Sequence, residues 1–108
     1  LHEWAEQTGI RQLVIPQECE SAWHLYYLLM PSNEQRDALI MHLQNNRINA
    51  VSHYLPLHLS SYIRNSGLKQ LTFPVTENAS KCLIRLPLWQ GLTDEELHNI
   101  LIVMKQFS

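Results

Sequence analysis

The 108 residues carry eight Lys and Arg against ten Asp and Glu, a formal charge of −2, which leaves no basic footprint for nucleic acid or an anionic membrane. An apolar fraction of 45% with three Trp, four Tyr and only three Gly argues against a disordered tail and predicts one folded domain, the length being too short for two. The longest apolar stretches, 25–30 and 99–104, fall far short of a membrane span, and the first residues lack the pattern of a signal peptide, so a soluble, cytoplasmic protein is expected.

Leu1 to Gln7 has helical composition and Gly9 is a fitting stop, yet neither an initiator Met nor an N-cap residue precedes Leu1. Residues 1–9 therefore read as the tail end of a truncated helix, because about two turns are marginal alone. Gln12 to Pro16 (QLVIP) predicts a weak strand. Trp23 to Met30 (WHLYYLLM), aromatic and branched without clean polar alternation, predicts a strand covered on both faces, which would make His24 a hydrogen-bonded core histidine.

Ser32 or Asn33 then caps a helix from Asn33 to about Asn46, with Gln35 as the capping partner of Ser32 and an apolar stripe through Ala38, Leu39, Met41, His42 and Leu43. Ile48 to Ser52 is a strand where a βαβ return belongs. Residues 53–73 show no sustained period, and a loop that long inside a compact domain is usually functional. Pro74 suits the first position of a helix reaching about Leu83 on an apolar face of Val75, Ala79, Cys82 and Leu83, and Ile84 to Leu86 is a short strand ended by Pro87. Thr93 with Glu96 forms a capping box, followed by Leu97, Ile100, Leu101 and Met104 on one face of a last helix over 93–106.

These elements predict an α+β fold: a small, mainly antiparallel sheet of about three strands, near 24–30, 48–52 and 84–86, backed by helices near 33–46, 74–83 and 93–106. A split βαβ arrangement with the last strand central fits this order. An exposed apolar face is expected to remain on such a domain.

Catalytic equipment is sparse. No GxSxG, GxGxxG or phosphate-binding loop is present, and Lys69, Lys81 and Lys105 fall in a loop or on polar helix faces, where a solvated ammonium is the simple reading. Cys19 and Cys82 are isolated and read as reduced thiols. Six histidines do not stand at metal-ligand spacing, so no metal is expected; His42 and His98 read as partly exposed helix residues. The dense constellation is His53-Tyr54-Leu55-Pro56-Leu57-His58, with Tyr62 and Arg64 behind it, where imidazoles, phenols and a guanidinium can meet hydroxyls or phosphates on a proline-stiffened loop. The residues alone leave two alternatives open: ligand contacts, or a loop anchored by Tyr54, Leu57 and Leu59 whose histidines cap backbone groups.

The run Val51 to Leu59 (VSHYLPLHL), followed by Leu86-Pro87-Leu88-Trp89 and Gly91 to Glu96 (GLTDEE), resembles the closing third of DegT-type sugar aminotransferases, whose endings carry HYxPLH, LPL and GLT-D/S-E patterns in this order. Pro16 through Cys19, Glu20, Ala22 to Tyr26, Arg36-Asp37 and Leu39 to Leu43 are similar to the first strand and helix of that family's small domain, so the resemblance covers essentially the whole chain, Asn65 to Phe73 excepted. The Cys-Glu pair and the HYLPLH wording are most similar to transaminases acting on dTDP-4-oxo-6-deoxy-D-glucose for surface polysaccharide or lipopolysaccharide, while enzymes acting on UDP- or GDP-linked keto sugars share much of the pattern.

The resemblance implies that residues 1–108 are the C-terminal small domain of a homodimeric enzyme that uses pyridoxal 5′-phosphate (PLP) to pass an amino group from glutamate to a keto sugar nucleotide. It also implies that the cofactor lysine, the aspartate under the pyridine nitrogen and the phosphate-binding residues lie in a large domain outside this chain, so that the chain alone is inactive, binds no cofactor and contributes no catalytic or cofactor-binding residue. His53, Tyr54, His58 and Tyr62 are then expected to line the substrate cleft as orienting groups. The rival reading is a stand-alone α+β small-ligand binding or interaction module.

Overall fold

The computed structural model describes residues 1–107. The first helix, α1 (His2–Thr8), buries Trp4 and Ala5 and stops where expected. Gly9 takes the left-handed conformation (φ 71°) and lets the chain turn so that the Ile10 N–H reaches the Ala5 carbonyl at 2.9 Å, a conformation that other residues adopt only with strain.

The sheet has four strands: β1 (Arg11–Gln12), β2 (Tyr26–Leu29), β3 (Val51–Ser52) and β4 (Leu83–Leu86), in the order β1-β2-β4-β3 with every ladder antiparallel. The last strand is thus central, and β2 and β3 run parallel on either side of it, the split βαβ arrangement. Beyond the three strands expected, β1 adds two residues at the edge of the sheet. The strand expected over 12–16 meets β1 only at Gln12, and Pro16 has no N–H to extend a ladder. The strand expected from residue 23 starts at Tyr26, because Trp23 sits at φ 48° with its N–H on the Ser21 hydroxyl. The strand expected over 48–52 pairs only at Val51–Ser52, although Ile48 and Ala50 are buried.

Pleating divides the sheet into two unlike faces. Leu28 and Ile84, opposite each other in the β2–β4 register, are fully buried and meet Leu39 and Leu43 of α2 (Asn33–Asn45) and Ile100, Val103 and Met104 of α5 (Asp94–Lys105) in the core cluster. The alternate residues Tyr27, Leu29, Val51, Leu83 and Arg85 are only half-buried. The expectation that β2 is covered on both faces is therefore corrected: helices cover one face. His24, expected in the core, is exposed before the strand begins.

The capping expectations are met. The Ser32 hydroxyl accepts the Gln35 N–H at 3.2 Å, and Thr93 and Glu96 form the reciprocal capping box at the start of α5. Pro74 occupies the first turn of α4 (Pro74–Cys82), whose expected stripe is corrected at Val75, which is 85% exposed, while Cys82 is buried. Residues 53–73 hold one turn of 3₁₀ helix, Leu57–Leu59, and the short α3 (Ser61–Asn65), neither of which the periodicity revealed. α3 packs chiefly on the 3₁₀ turn. The radius of gyration, 15.9 Å, exceeds the ~13 Å expected of a compact chain of this length, as befits a segment exposed along most of its course. Among the described residues, no helix is long and apolar enough to cross a membrane.

Candidate substrate-facing loop

The chain leaves the sheet at Ser52 and enters the loop through His53 and Tyr54. Pro56 is buried and anchors the turn: its carbonyl accepts the Leu59 N–H at 2.9 Å, the Leu57 carbonyl accepts the Ser60 N–H at 3.1 Å, and the Ser60 hydroxyl caps α3 at the Ile63 N–H. A fixed φ at residue 56 starts the 3₁₀ turn. The side chains on either side of this anchor consequently point in different directions.

The four expected site residues divide into groups. His53 and Tyr54 are exposed and tilted against one another with ring centroids 5.1 Å apart, and the Arg85 guanidinium lies 5.2 Å from the centre of the Tyr54 ring. This trio gathers at the half-open face of the sheet, since Arg85 stands on the central strand between Tyr27 and Val51. Tyr62 is 78% exposed on α3. His58 turns the other way: its Nε2 lies 2.9 Å from Glu77 Oε1, and its ring meets the Phe73 ring edge-on at 4.8 Å.

Two residues that the sequence reading passed over complete these groups. Arg85 is the one charge in the strand Leu83–Leu86, and that interruption of an apolar run was the available signal. Its Nε is buried without a hydrogen-bond partner, and its contact with Tyr54 is of cation–π type. Glu77 carried no signal, being one polar residue on an ordinary helix. Its carboxyl is held below the usual carboxylate range, first by the Phe73 N–H and then by the His58 ring, because hydrogen bonds to the ionised form favour it.

Beside His58, a cavity of about 520 Å³ is walled by Leu57, Ile63, Leu68, Leu71 and Phe73 with Lys69 at its border. A second apolar groove of about 340 Å³ includes Trp23, Tyr26, Leu88, Leu97 and Leu101. Among the described residues, no group of three His, Cys, Asp or Glu side chains converges to hold a metal ion.

Residues 2–105 match the DegT/DnrJ/EryC1/StrS aminotransferase family. The chain belongs to that family. Its similarity to the family is spread over its length: it is 30% identical over 108 residues to the erythromycin biosynthesis sensory transduction protein EryC1 of Saccharopolyspora erythraea, covering 96% of this chain and 29% of EryC1. Among solved structures of the family, a DegT DnrJ EryC1 StrS aminotransferase from Brucella abortus superposes with a TM-score of 0.79 at 26% identity, covering 98% of this chain and 28% of that one. The putative sugar aminotransferase Spr1654 from Streptococcus pneumoniae, in its PLP form, gives 0.72 at 29% identity over 98% of this chain and 28% of its own. The chain thus spans less than a third of the length of these relatives, and the α+β fold expected from its sequence is the fold of the corresponding part.

Proposed function

We propose that these residues form the small lobe of a PLP-dependent sugar-nucleotide aminotransferase that moves an amino group from glutamate to a keto sugar nucleotide for surface polysaccharide or lipopolysaccharide. The observation that carries the reading is the family match across residues 2–105, in a chain whose fold superposes on the Brucella abortus aminotransferase and on the putative sugar aminotransferase Spr1654. The resemblance of the HYLPLH loop favours dTDP-4-oxo-6-deoxy-D-glucose as the acceptor, in a cytoplasmic homodimer. PLP supplies an electron sink for amino-group transfer when bound. The described residues do not fit that cofactor: Lys69, Lys81 and Lys105 are exposed, and the cavity that Lys69 borders has apolar walls with neither a carboxylate for a pyridine nitrogen nor a cradle for a phosphate. Holding the cofactor accordingly falls to the large lobe in this reading.

The share left to this chain is recognition. His53 and Tyr54, set beside the Arg85 cation, offer a donor-rich edge for sugar hydroxyls or a phosphate, and Tyr62 adds a phenol on α3. The test uses a polypeptide in which residues 1–108 follow their large lobe, assayed with glutamate and dTDP-, UDP- and GDP-linked keto sugars. Amino transfer is expected, most efficient with the dTDP-linked sugar, and His53→Ala or Tyr54→Ala is expected to raise KM more than it lowers kcat. Absence of transfer to any of the three would overturn the reading, and a preference for UDP- or GDP-linked acceptors would overturn its finer part. The 108-residue chain mixed with PLP and glutamate is expected to give no cofactor absorbance band and no transfer.

A further inference from the structure

His58 and Glu77 meet across 19 residues of chain, and their geometry settles more than an anchor. Glu77 Oε1 lies 2.9 Å from His58 Nε2 and accepts the Phe73 N–H at 3.0 Å, while the Glu77 N–H returns a bond to the Phe73 carbonyl at 2.9 Å. Glu77 is therefore tied to Phe73 through both its carboxylate and its backbone N–H. The side chains of His58 and Glu77 are only 12% and 23% exposed, so the bond is sheltered from competing water. An ionised carboxylate accepts hydrogen bonds and donates none. A neutral imidazole carries one N–H, and which nitrogen bears it is set by the bond the ring already makes.

We propose that Glu77 is a positioning residue that holds neutral His58 in the Nε2–H tautomer, leaving Nδ1 as its one acceptor, so that this ring receives a hydrogen bond from a ligand hydroxyl or amine and gives none to a phosphate. Nδ1 makes no hydrogen bond among the described residues, and the ring stands in the wall of the 520 Å³ cavity. Phe73, edge-on to the ring, keeps the plane from turning. The charged neighbours do not displace the pairing: Lys81 lies one turn on from Glu77 and favours its ionised form, and Lys69 at the cavity border is a donor with no acceptor capacity. Only what Nδ1 meets rests on the cleft reading above; the tautomer does not.

Long-range ¹H–¹⁵N spectra of the 108-residue chain at a pH where His58 is neutral test the proposal, with His58→Gln identifying the resonances. The expected result is a protonated Nε2 and an unprotonated Nδ1. In Glu77→Ala the ratio of Nε2–H to Nδ1–H forms is expected to fall about tenfold, the weight of a charge-assisted hydrogen bond, whereas Glu77→Gln, which keeps a carbonyl oxygen, restores it. A predominant Nδ1–H form in the wild type, or an unchanged ratio in Glu77→Ala, would overturn the inference. Should Glu77→Ala not fold, the wild-type spectrum alone decides. An Nε2–H ring in an enzyme that transfers no amino groups would sink the functional reading and leave this one standing.

Discussion

Leu28 and Ile84 face one another across the β2–β4 ladder without exposure, and Leu39 seals them from α2. Truncating Leu28 to Ala leaves a cavity that the antiparallel register cannot close, and the expected loss is about 2–5 kcal/mol, read as a lowered urea midpoint. Val75→Ala is expected to stay within about 0.5 kcal/mol, because that side chain stands in solvent. The contrast shows where the sequence was readable at this scale. Leu39, Leu43, Ile100 and Met104 were picked out by helical spacing and are buried, whereas Val75, Met41 and Leu97 had the same chemistry at similar spacing and are exposed. A stripe reports the centre of a helix face; its margins depend on what packs opposite. Pairings such as His58 with Glu77, or Tyr54 with Arg85, lie beyond any local period.

Helix starts were the most legible elements, since a cap is a contact between residues three apart. Thr93 accepts the Glu96 N–H at 3.2 Å, and the Glu96 carboxylate accepts the Thr93 N–H at 2.9 Å. Thr93→Ala is expected to cost about 0.5–2 kcal/mol and to speed amide exchange in the first turn of α5 while leaving the sheet protected. Strand ends were less legible. Trp23 and Ile48 have strand-like side chains, but a ladder needs a partner: the left-handed turn at Trp23 makes β2 start late, and β4 reaches only the last two residues of the segment expected as a strand. The one-turn helices in 57–65 are shorter than any window in which a period can be counted.

For the molecule as a whole, three helix starts share one electrostatic design. Glu34 is held below the ordinary carboxylate value of 4.5 by its own N–H and the Ser32 hydroxyl, Glu77 by the Phe73 N–H and then His58, and Glu96 by the Thr93 N–H and then its hydroxyl. Each lowered group binds fewer protons folded than unfolded. Its contribution is thus fully present above the ordinary value and is lost as pH falls through the folded one. Urea midpoints are expected to fall between about pH 5 and about pH 3, and the combined change of all three to Gln to flatten that slope. An unaltered slope in the triple variant would place the acid sensitivity elsewhere.

The strand order also bears on how the polypeptide comes into being. β4 separates β2 from β3, so on a ribosome both of these strands emerge before the segment that joins them has been made. Until residues 83–86 have been made, one edge of β2 and the pairing edge of β3 lack their sheet partner. Closure must then bring 26–29 together with 83–86 across more than fifty residues of chain, an entropic penalty that slows collapse. This sheet is therefore expected to close only after its central strand has been made.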